Sequence, residues 1–182
     1  MAISTVAIVQ NPKRSTCLTP VAPLHHDPRL STGAEAMRDS AMIAPVLADL
    51  RAQRVLIVNQ RRRNGLIIYK PHHAEFAGPG AVVGGPFDTD AIGILPVGNW
   101  SLLPPADPEQ RQKAYLMRRQ WVKLFKQVTE NPIPLQRVQT ILNQFENWFN
   151  VETVAKLPDE AIAALVGVLP QTVQKVRQMG EW

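Results

Sequence analysis

The second half of the chain contains a long stretch without glycine, and this stretch is the strongest constraint on the fold. No glycine occurs between Gly98 and Gly167, and from Pro108 onward helix-forming residues dominate. The region 71–99 is rich in glycine, and most of the sixteen prolines lie in the first 108 residues. Because glycine and proline interrupt helices and favour turns, the sequence predicts short elements first and long helices afterwards.

Two amphipathic helices are expected to follow residue 107. Over 108–130, apolar residues recur three and four positions apart, as a long amphipathic helix requires. Asp107 is suited to cap the first turn, and the Asn131-Pro132 pair is expected to end the helix. The segment PLQRVQTILNQFENWFN predicts a second helix with one broad apolar face, formed by Val138, Ile141, Leu142, Phe145, Trp148 and Phe149.

The first forty residues and the segment after them have different patterns. Residues 1–40 are rich in Ser, Thr and Pro and sustain no helical or strand period, so we expect a weakly ordered tail. Residues 41–52 have helical spacing, with Val46, Leu47 and Leu50 on one side.

Strands are predicted in the region that follows. The apolar runs 55–58 and 66–69 predict a hairpin whose loop is NQRRRNG, because Asn64 and Gly65 tolerate positive φ. The segments 81–83 and 92–97 are further strand candidates. These patterns together predict an α+β fold. After the tail over 1–40, a small irregular β/α module with a hairpin over 41–100 precedes an all-α domain over 107–182.

The segment DEAIAALVGVLPQTVQKVRQ, residues 159–178, carries the most informative spacing. Two helical runs are separated by Gly167, which is free to adopt the positive φ that ends a helix. Ala163 is small, which allows a second helix to approach closely. Apolar residues occupy the positions that fill a core shared by two crossing helices, namely Ile162, Val166, Val168, Val173 and Val176.

This spacing resembles the helix-turn-helix segment of bacterial DNA-binding proteins. The resemblance implies that 170–180 is a recognition helix that enters the major groove of double-stranded DNA. The candidate DNA contacts on that helix are Gln171, Thr172, Gln174, Lys175, Arg177 and Gln178. Gln can bond the adenine edge, and Lys or Arg can bond guanine or phosphate. The structural alternative is an ordinary pair of packed helices, which shares several of these positions.

A longer segment, FNVETVAKLPDEAIAALVGVLPQTVQKVRQM, also resembles the helix-hairpin-helix motif of DNA repair nucleases. In that motif the amides of a Gly-apolar-Gly turn hold a phosphate. The turn here is Gly167-Val168-Leu169, so Leu169 replaces the second glycine. Both resemblances imply contact with DNA, through different atoms.

Two further groups of basic residues have two interpretations each. Arg61, Arg62 and Arg63 at the predicted hairpin tip could form a wing that contacts DNA phosphates beside the helix, or a solvated turn. The predicted helix 108–130 carries more basic than acidic residues, which is typical of a solvated amphipathic helix or of an anion-binding face; the basic residues are Arg111, Lys113, Arg118, Arg119, Lys123 and Lys126.

No set of residues indicates catalysis, a metal or a cofactor. The pairs His25-His26 and His72-His73 are adjacent, and adjacent strand residues point to opposite faces. The single cysteine, Cys17, has no activating partner in the pattern. We therefore expect a protein that is not an enzyme and needs no metal ion or cofactor.

The overall charge and the motif lead to one functional expectation and one alternative. The net charge of +5 favours an anionic partner. We expect a cytoplasmic transcriptional regulator that does not contact membranes, and that binds DNA as a homodimer because one recognition helix covers only a few base pairs. The alternative is an adaptor whose helical part binds a protein partner, since only Lys175 and Arg177 are basic in the predicted recognition helix.

Overall fold

The structure, a computed structural model, describes residues 42–180. The predicted tail over 1–40 therefore lies outside the described residues. The first described element is a helix, α1, over residues 42–51, which confirms the helix predicted over 41–52. Leu50 is fully buried, as its position on the apolar side of the helix requires.

Six short strands follow α1 and form two antiparallel sheets of three strands each. One sheet has the order β4-β1-β6 and the other the order β3-β2-β5, and a short 3-10 helix, Gly85–Phe87, follows β4. The strands are β1 (Leu56–Val58), β2 (Asn64–Tyr69), β3 (Ala74–Ala77), β4 (Val82–Val83), β5 (Gly93–Gly98) and β6 (Leu102–Leu103).

The predicted pairing of the first two strands is wrong. Both strands exist, but β1 pairs with β4 and β6, whereas β2 pairs with β3 and β5. The side chains of Leu66, Ile67 and Ile68 are all buried, so both faces of β2 are covered and its two edges are occupied by β3 and β5. The loop between β1 and β2 is closed instead by the Asn64 amide, whose Nδ2 donates to the Asn59 carbonyl oxygen at 3.0 Å.

Five helices form the second part of the described chain. Asp107 caps the first of them, because its Oδ1 accepts a hydrogen bond from the Gln110 backbone N–H at 2.6 Å. This helix covers residues 108–129, so the long helix predicted over 108–130, its Asp107 cap and its end before Asn131-Pro132 are all confirmed. The helices are α2 (Pro108–Thr129), α3 (Pro134–Trp148), α4 (Val151–Ala155), α5 (Asp159–Val166) and α6 (Pro170–Met179).

A core shared by the sheet β3-β2-β5 and the helices joins the two parts. Phe76 of β3 lies at its centre, with its ring centroid between 5.1 and 6.2 Å from five other aromatic rings, those of Trp121, Phe125, Phe145, Trp148 and Phe149. The fold is α+β with an all-helical C-terminal part, as predicted. None of the helices within residues 42–180 is long and apolar enough to cross a membrane.

Candidate nucleic-acid interface

The turn between α5 and α6 has the backbone geometry that the sequence predicts. Gly167 adopts φ 64° and ψ 51°, the left-handed conformation, and ends α5. The Val168 backbone N–H donates to the Ala163 carbonyl oxygen at 3.1 Å, which satisfies one of the last acceptors of the helix. Leu169 is extended, and Pro170 begins α6 with a ring that pre-sets the helical φ. Three residues therefore separate the two helices.

The helices α3, α5 and α6 pack together and form the scaffold of this turn. All but one of the predicted core positions are buried, and Val168 is half-buried. The buried positions are Ile162, Ala163, Val166, Val173 and Val176. The apolar pattern of the segment is accounted for by this packing, so the remaining face of α6 is available for other contacts.

That remaining face of α6 is polar. Gln171, Gln174, Lys175 and Gln178 are exposed, whereas Thr172 is half-buried. No side chain caps the start of α6; Pro170 has no N–H and the Thr172 N–H donates to the Leu169 carbonyl oxygen at 2.9 Å, so within residues 42–180 the first turn leaves the Gln171 N–H without a partner. Apolar residues border both ends of the helix, where Leu169 is 70% and Met179 is 73% exposed.

Arg177, the last candidate on α6, turns back into the protein. Its Nη2 donates to the carbonyl oxygens of Leu157 at 2.8 Å and Val154 at 3.3 Å, and its Nη1 donates to that of Ala155 at 3.2 Å. Its Nε lies 3.0 Å from Oδ1 of Asp159, close enough for an ion pair but without hydrogen-bond alignment. Arg177 thus fastens α6 to the end of α4 and the start of α5.

The arginine loop, Arg61–Arg63, lies at the other end of α4. Arg63 Nη1 donates to the Phe149 carbonyl oxygen at 3.3 Å, just before α4, and Arg62 Nη1 donates to Asn99 Oδ1 at 2.9 Å. All three arginine residues are exposed. The structure therefore places the arginine loop and Arg177 at opposite ends of α4, and it places the loop beside Trp121 and Trp148.

A cluster of charges that the sequence analysis missed joins α2 to the first part. Arg118 is only 1% exposed, and its Nη2 lies 2.6 Å from Glu75 Oε2 and 3.1 Å from Asp88 Oδ1. Lys70 Nζ lies 3.7 Å from Asp88 Oδ1 and 2.5 Å from Asp90 Oδ1. The placement of Arg118 on a solvated basic face is therefore wrong. The helical spacing of the sequence did indicate this burial, because Arg118 lies on the same face of α2 as the buried residues Ala114, Phe125 and Val128.

The pKa values of the two carboxylates beside Arg118, those of Asp88 and Glu75, are shifted in opposite directions. Burial raises the pKa of Asp88, and this effect outweighs Arg118, the Gly84 amide and Lys70, which all lower it. Burial also acts to raise the pKa of Glu75, but the attraction and hydrogen bond of Arg118, together with Lys70 and His73, hold that pKa below its ordinary range. Arg118 thereby links α2 to β3 and to the segment that follows the 3-10 helix.

Metal ligation has no support within the described part of the chain. No group of three His, Cys, Asp or Glu side chains converges there. His72 and His73 are exposed, and the His73 ring lies 3.3 Å from Glu75 Oε1. Cys17, His25 and His26 lie outside the described residues.

No protein-family profile, curated protein or solved structure matches the chain.

Proposed function

We propose that the protein binds double-stranded DNA, with α6 in the major groove, and that it regulates transcription. The observation that carries the proposal is the division of α6 into two faces. Val173 and Val176 are buried against α3 and α5, while Gln171, Gln174 and Lys175 are exposed on the other side. Glutamine and lysine side chains match the hydrogen-bonding groups of base edges, so this face can read sequence.

In this proposal, residues at the start of α6 also contact the DNA backbone. The Gln171 backbone N–H in the uncapped first turn has no partner within the described residues, and such a group favours a phosphate oxygen. Thr172, the next residue, is half-buried, and its hydroxyl would donate to the same phosphate. Gln174, Lys175 and Gln178 would lie deeper in the groove.

Arg177 has a positioning role in the proposal. Its guanidinium is committed to three carbonyl oxygens and to Asp159, so it orients α6 without contacting the bases. Lys175 is then the only cation that α6 presents to DNA. A single helix with one cation gives limited affinity, so we propose that two copies bind two half-sites as a homodimer.

One observation favours an adaptor as the second candidate function. Leu169 and Met179 are largely exposed at the two ends of α6, and Lys175 lies between them. Exposed apolar side chains of this kind are typical of the centre of a protein–protein interface. A protein partner would cover both of them, whereas a DNA duplex would leave at least one in solvent.

The test is fluorescence anisotropy of the full chain on labelled duplex DNA of mixed sequence over a range of salt concentrations. We expect the logarithm of affinity to fall with the logarithm of salt by about 0.9 for each phosphate contact. Lys175→Ala should weaken binding by at least about fivefold, because a base contact of this kind is worth at least about 1 kcal/mol. The control is Lys123→Ala, which removes an exposed lysine from α2. Equal effects of the two substitutions, or no binding at low salt, would exclude α6 as a DNA reader.

A further inference from the structure

Three adjoining depressions surround the arginine loop and form one groove. The first, of about 340 Å³, lies between β1, the loop and α2, and it shares Gln60 and Arg61 with the second, of about 380 Å³. The second shares Arg63 and Phe149 with the third, of about 330 Å³, which reaches the start of α4. We term this continuous surface, from Lys113 at one end to Asn150 at the other, the arginine groove.

The arginine groove is positively charged throughout. Arg61, Arg62, Arg63 and Lys113 line it. Within the part of the chain that the structure describes, no carboxylate lines any of the three depressions. The other polar lining groups are neutral, and most of them are amides. A row of cations with no carboxylate among the lining residues attracts a polyanion and raises its local concentration.

Aromatic rings line the middle of the arginine groove. Trp121 and Trp148 border the second depression together with Phe149. The two indole rings are perpendicular, with centroids 4.8 Å apart, and both residues are only partly buried. Partly exposed indoles beside arginine side chains are the combination that stacks unpaired bases while holding the adjoining phosphates.

The arginine loop is held in place before any ligand binds. The Asn59 side chain accepts the Arg61 backbone N–H at 3.0 Å, and the Asn59 carbonyl accepts Asn64 Nδ2 at the same distance. Arg62 and Arg63 are oriented by Asn99 and by the Phe149 carbonyl. The Arg61 side chain forms no ion pair or hydrogen bond within residues 42–180, so substituting it removes a charge without breaking an internal contact.

From these observations we infer that the arginine groove binds single-stranded nucleic acid. The bases stack on Trp121 and Trp148, and the phosphates follow Arg61, Arg62 and Lys113. A duplex keeps its bases inside the stack and would present only phosphates to this groove, leaving the indoles unused. The site differs from α6 in its residues and its ligand, so it does not depend on the proposed reading of duplex DNA.

The experiment titrates the full chain with single-stranded oligothymidylate and oligouridylate of about 15 nucleotides, a length within the range of known single-strand sites. Binding is followed by anisotropy of the labelled strand and by tryptophan emission. We expect both oligonucleotides to bind and to quench the tryptophan emission. If the ribose hydroxyl contributes to binding, one of them will bind more tightly than the other. Trp148→Phe keeps an aromatic ring in the core and should reduce the quenching.

Arg61→Ala should weaken binding of the single strand and lower its salt dependence by about 0.7, the contribution of one phosphate contact. The matched control, Arg119→Ala, removes an exposed arginine from α2 outside the groove and should change neither quantity. Lys175→Ala should also leave single-strand binding unchanged. Equal losses in the Arg61 and Arg119 variants, unquenched tryptophan emission, or a loss with Lys175→Ala would overturn the inference.

The two proposals can fail separately. Binding of duplex but not of single strands would overturn the inference and leave the proposed function standing. Binding of single strands but not of duplex would do the reverse.

Discussion

Arg177 Nε lies 3.0 Å from Asp159 Oδ1, and this ion pair joins the third-last residue of α6 to the first residue of α5. The same guanidinium donates to three carbonyl oxygens at and just beyond the end of α4. One side chain therefore links α6 to both of the helices that precede it, in addition to the apolar packing of Val173 and Val176. Arg177 was predicted from the sequence to contact DNA, whereas we propose that it positions α6.

The first prediction concerns that role. Arg177→Met should reduce the free energy of unfolding by about 1–3 kcal/mol, because it removes three hydrogen bonds from a charged donor, two of them partly buried. Asp159→Asn should cost less, since the carbonyl bonds remain. Urea unfolding followed by circular dichroism measures both. Unchanged stability in Arg177→Met, together with lost DNA binding, would make Arg177 a DNA contact after all.

The second prediction concerns the turn between α5 and α6. Gly167→Ala should destabilise the protein by about 1–2 kcal/mol, because an alanine in the left-handed conformation is strained. The cost is conformational and not steric, since the nearest atom to an added Cβ, Arg137 Nη1, is 3.8 Å away. Gly167→Asn is the matched control and should be less destabilising, because asparagine tolerates this conformation. Thermal unfolding that ranks alanine as the milder change would contradict the assigned backbone geometry.

The third prediction concerns the buried pair of Asp88 and Arg118. Asp88→Ala should cost about 1.5–3 kcal/mol, because it removes the fully buried partner of Arg118 and leaves only the partly exposed Glu75 beside the guanidinium. The double variant Asp88→Ala/Arg118→Met should be more stable than Asp88→Ala alone, since it also removes the buried guanidinium that has lost one of its two partners. Chemical denaturation of the single and double variants measures the coupling. Additive effects would show that the two groups do not interact.

The fourth prediction concerns pH. The folded-state pKa of Glu75 is lowered, so its ionised form stabilises the fold above the pKa of the unfolded chain, and this contribution is lost as the pH falls through the folded pKa. Wild type should therefore exceed Glu75→Gln in stability at neutral pH. The difference should shrink on acidification below the ordinary value of 4.5.

The raised pKa of Asp88 changes stability with pH in the direction opposite to that of Glu75. Its raised folded-state pKa contributes stability below the pKa of the unfolded chain, and this contribution is lost as the pH rises through the folded pKa. Asp88 is present in both wild type and Glu75→Gln, although Glu75→Gln also removes one of the smaller causes of the raised pKa of Asp88. A stability difference that stays constant between neutral and acid pH would contradict the shift assigned to Glu75.

Local signals predicted the helices well. The Asp107 cap, the spacing of apolar residues in α2 and α3, and the glycine after α5 each act within a few residues, so the sequence pattern reveals them directly. The short helix α4 was missed because five residues are too few to establish a helical period. Its Asn150 cap, which accepts the Thr153 backbone N–H at 2.8 Å, was the available signal.

Non-local relationships were predicted poorly. The sequence predicted that β1 pairs with β2 because the two strands are adjacent in the chain. However, β2 pairs with residues 74–77 and 93–98, and the first of these segments has little β propensity. Likewise, the burial of Arg118 depends on Glu75 and Asp88, which lie 43 and 30 residues away in the chain. Nothing in the local pattern places those carboxylates beside α2.

The same difference between local and long-range signals applies to the candidate site. The exposed polar residues of α6 follow from its helical period, and that part of the site was available from the sequence. The position of the arginine loop beside Trp121 and Trp148 was not, because it depends on the long-range packing of Phe76 in β3 against aromatic rings of α2 and α3.

The most direct test of the central claim is a proton–nitrogen correlation spectrum of the full chain, recorded while duplex DNA is added. If α6 enters the major groove, the largest shifts in backbone amide signals will fall on residues 170–178, and the side-chain amides of Gln171, Gln174 and Gln178 will shift with them. If the shifts are confined to the arginine groove, or if no signal moves at low salt, then α6 does not read DNA.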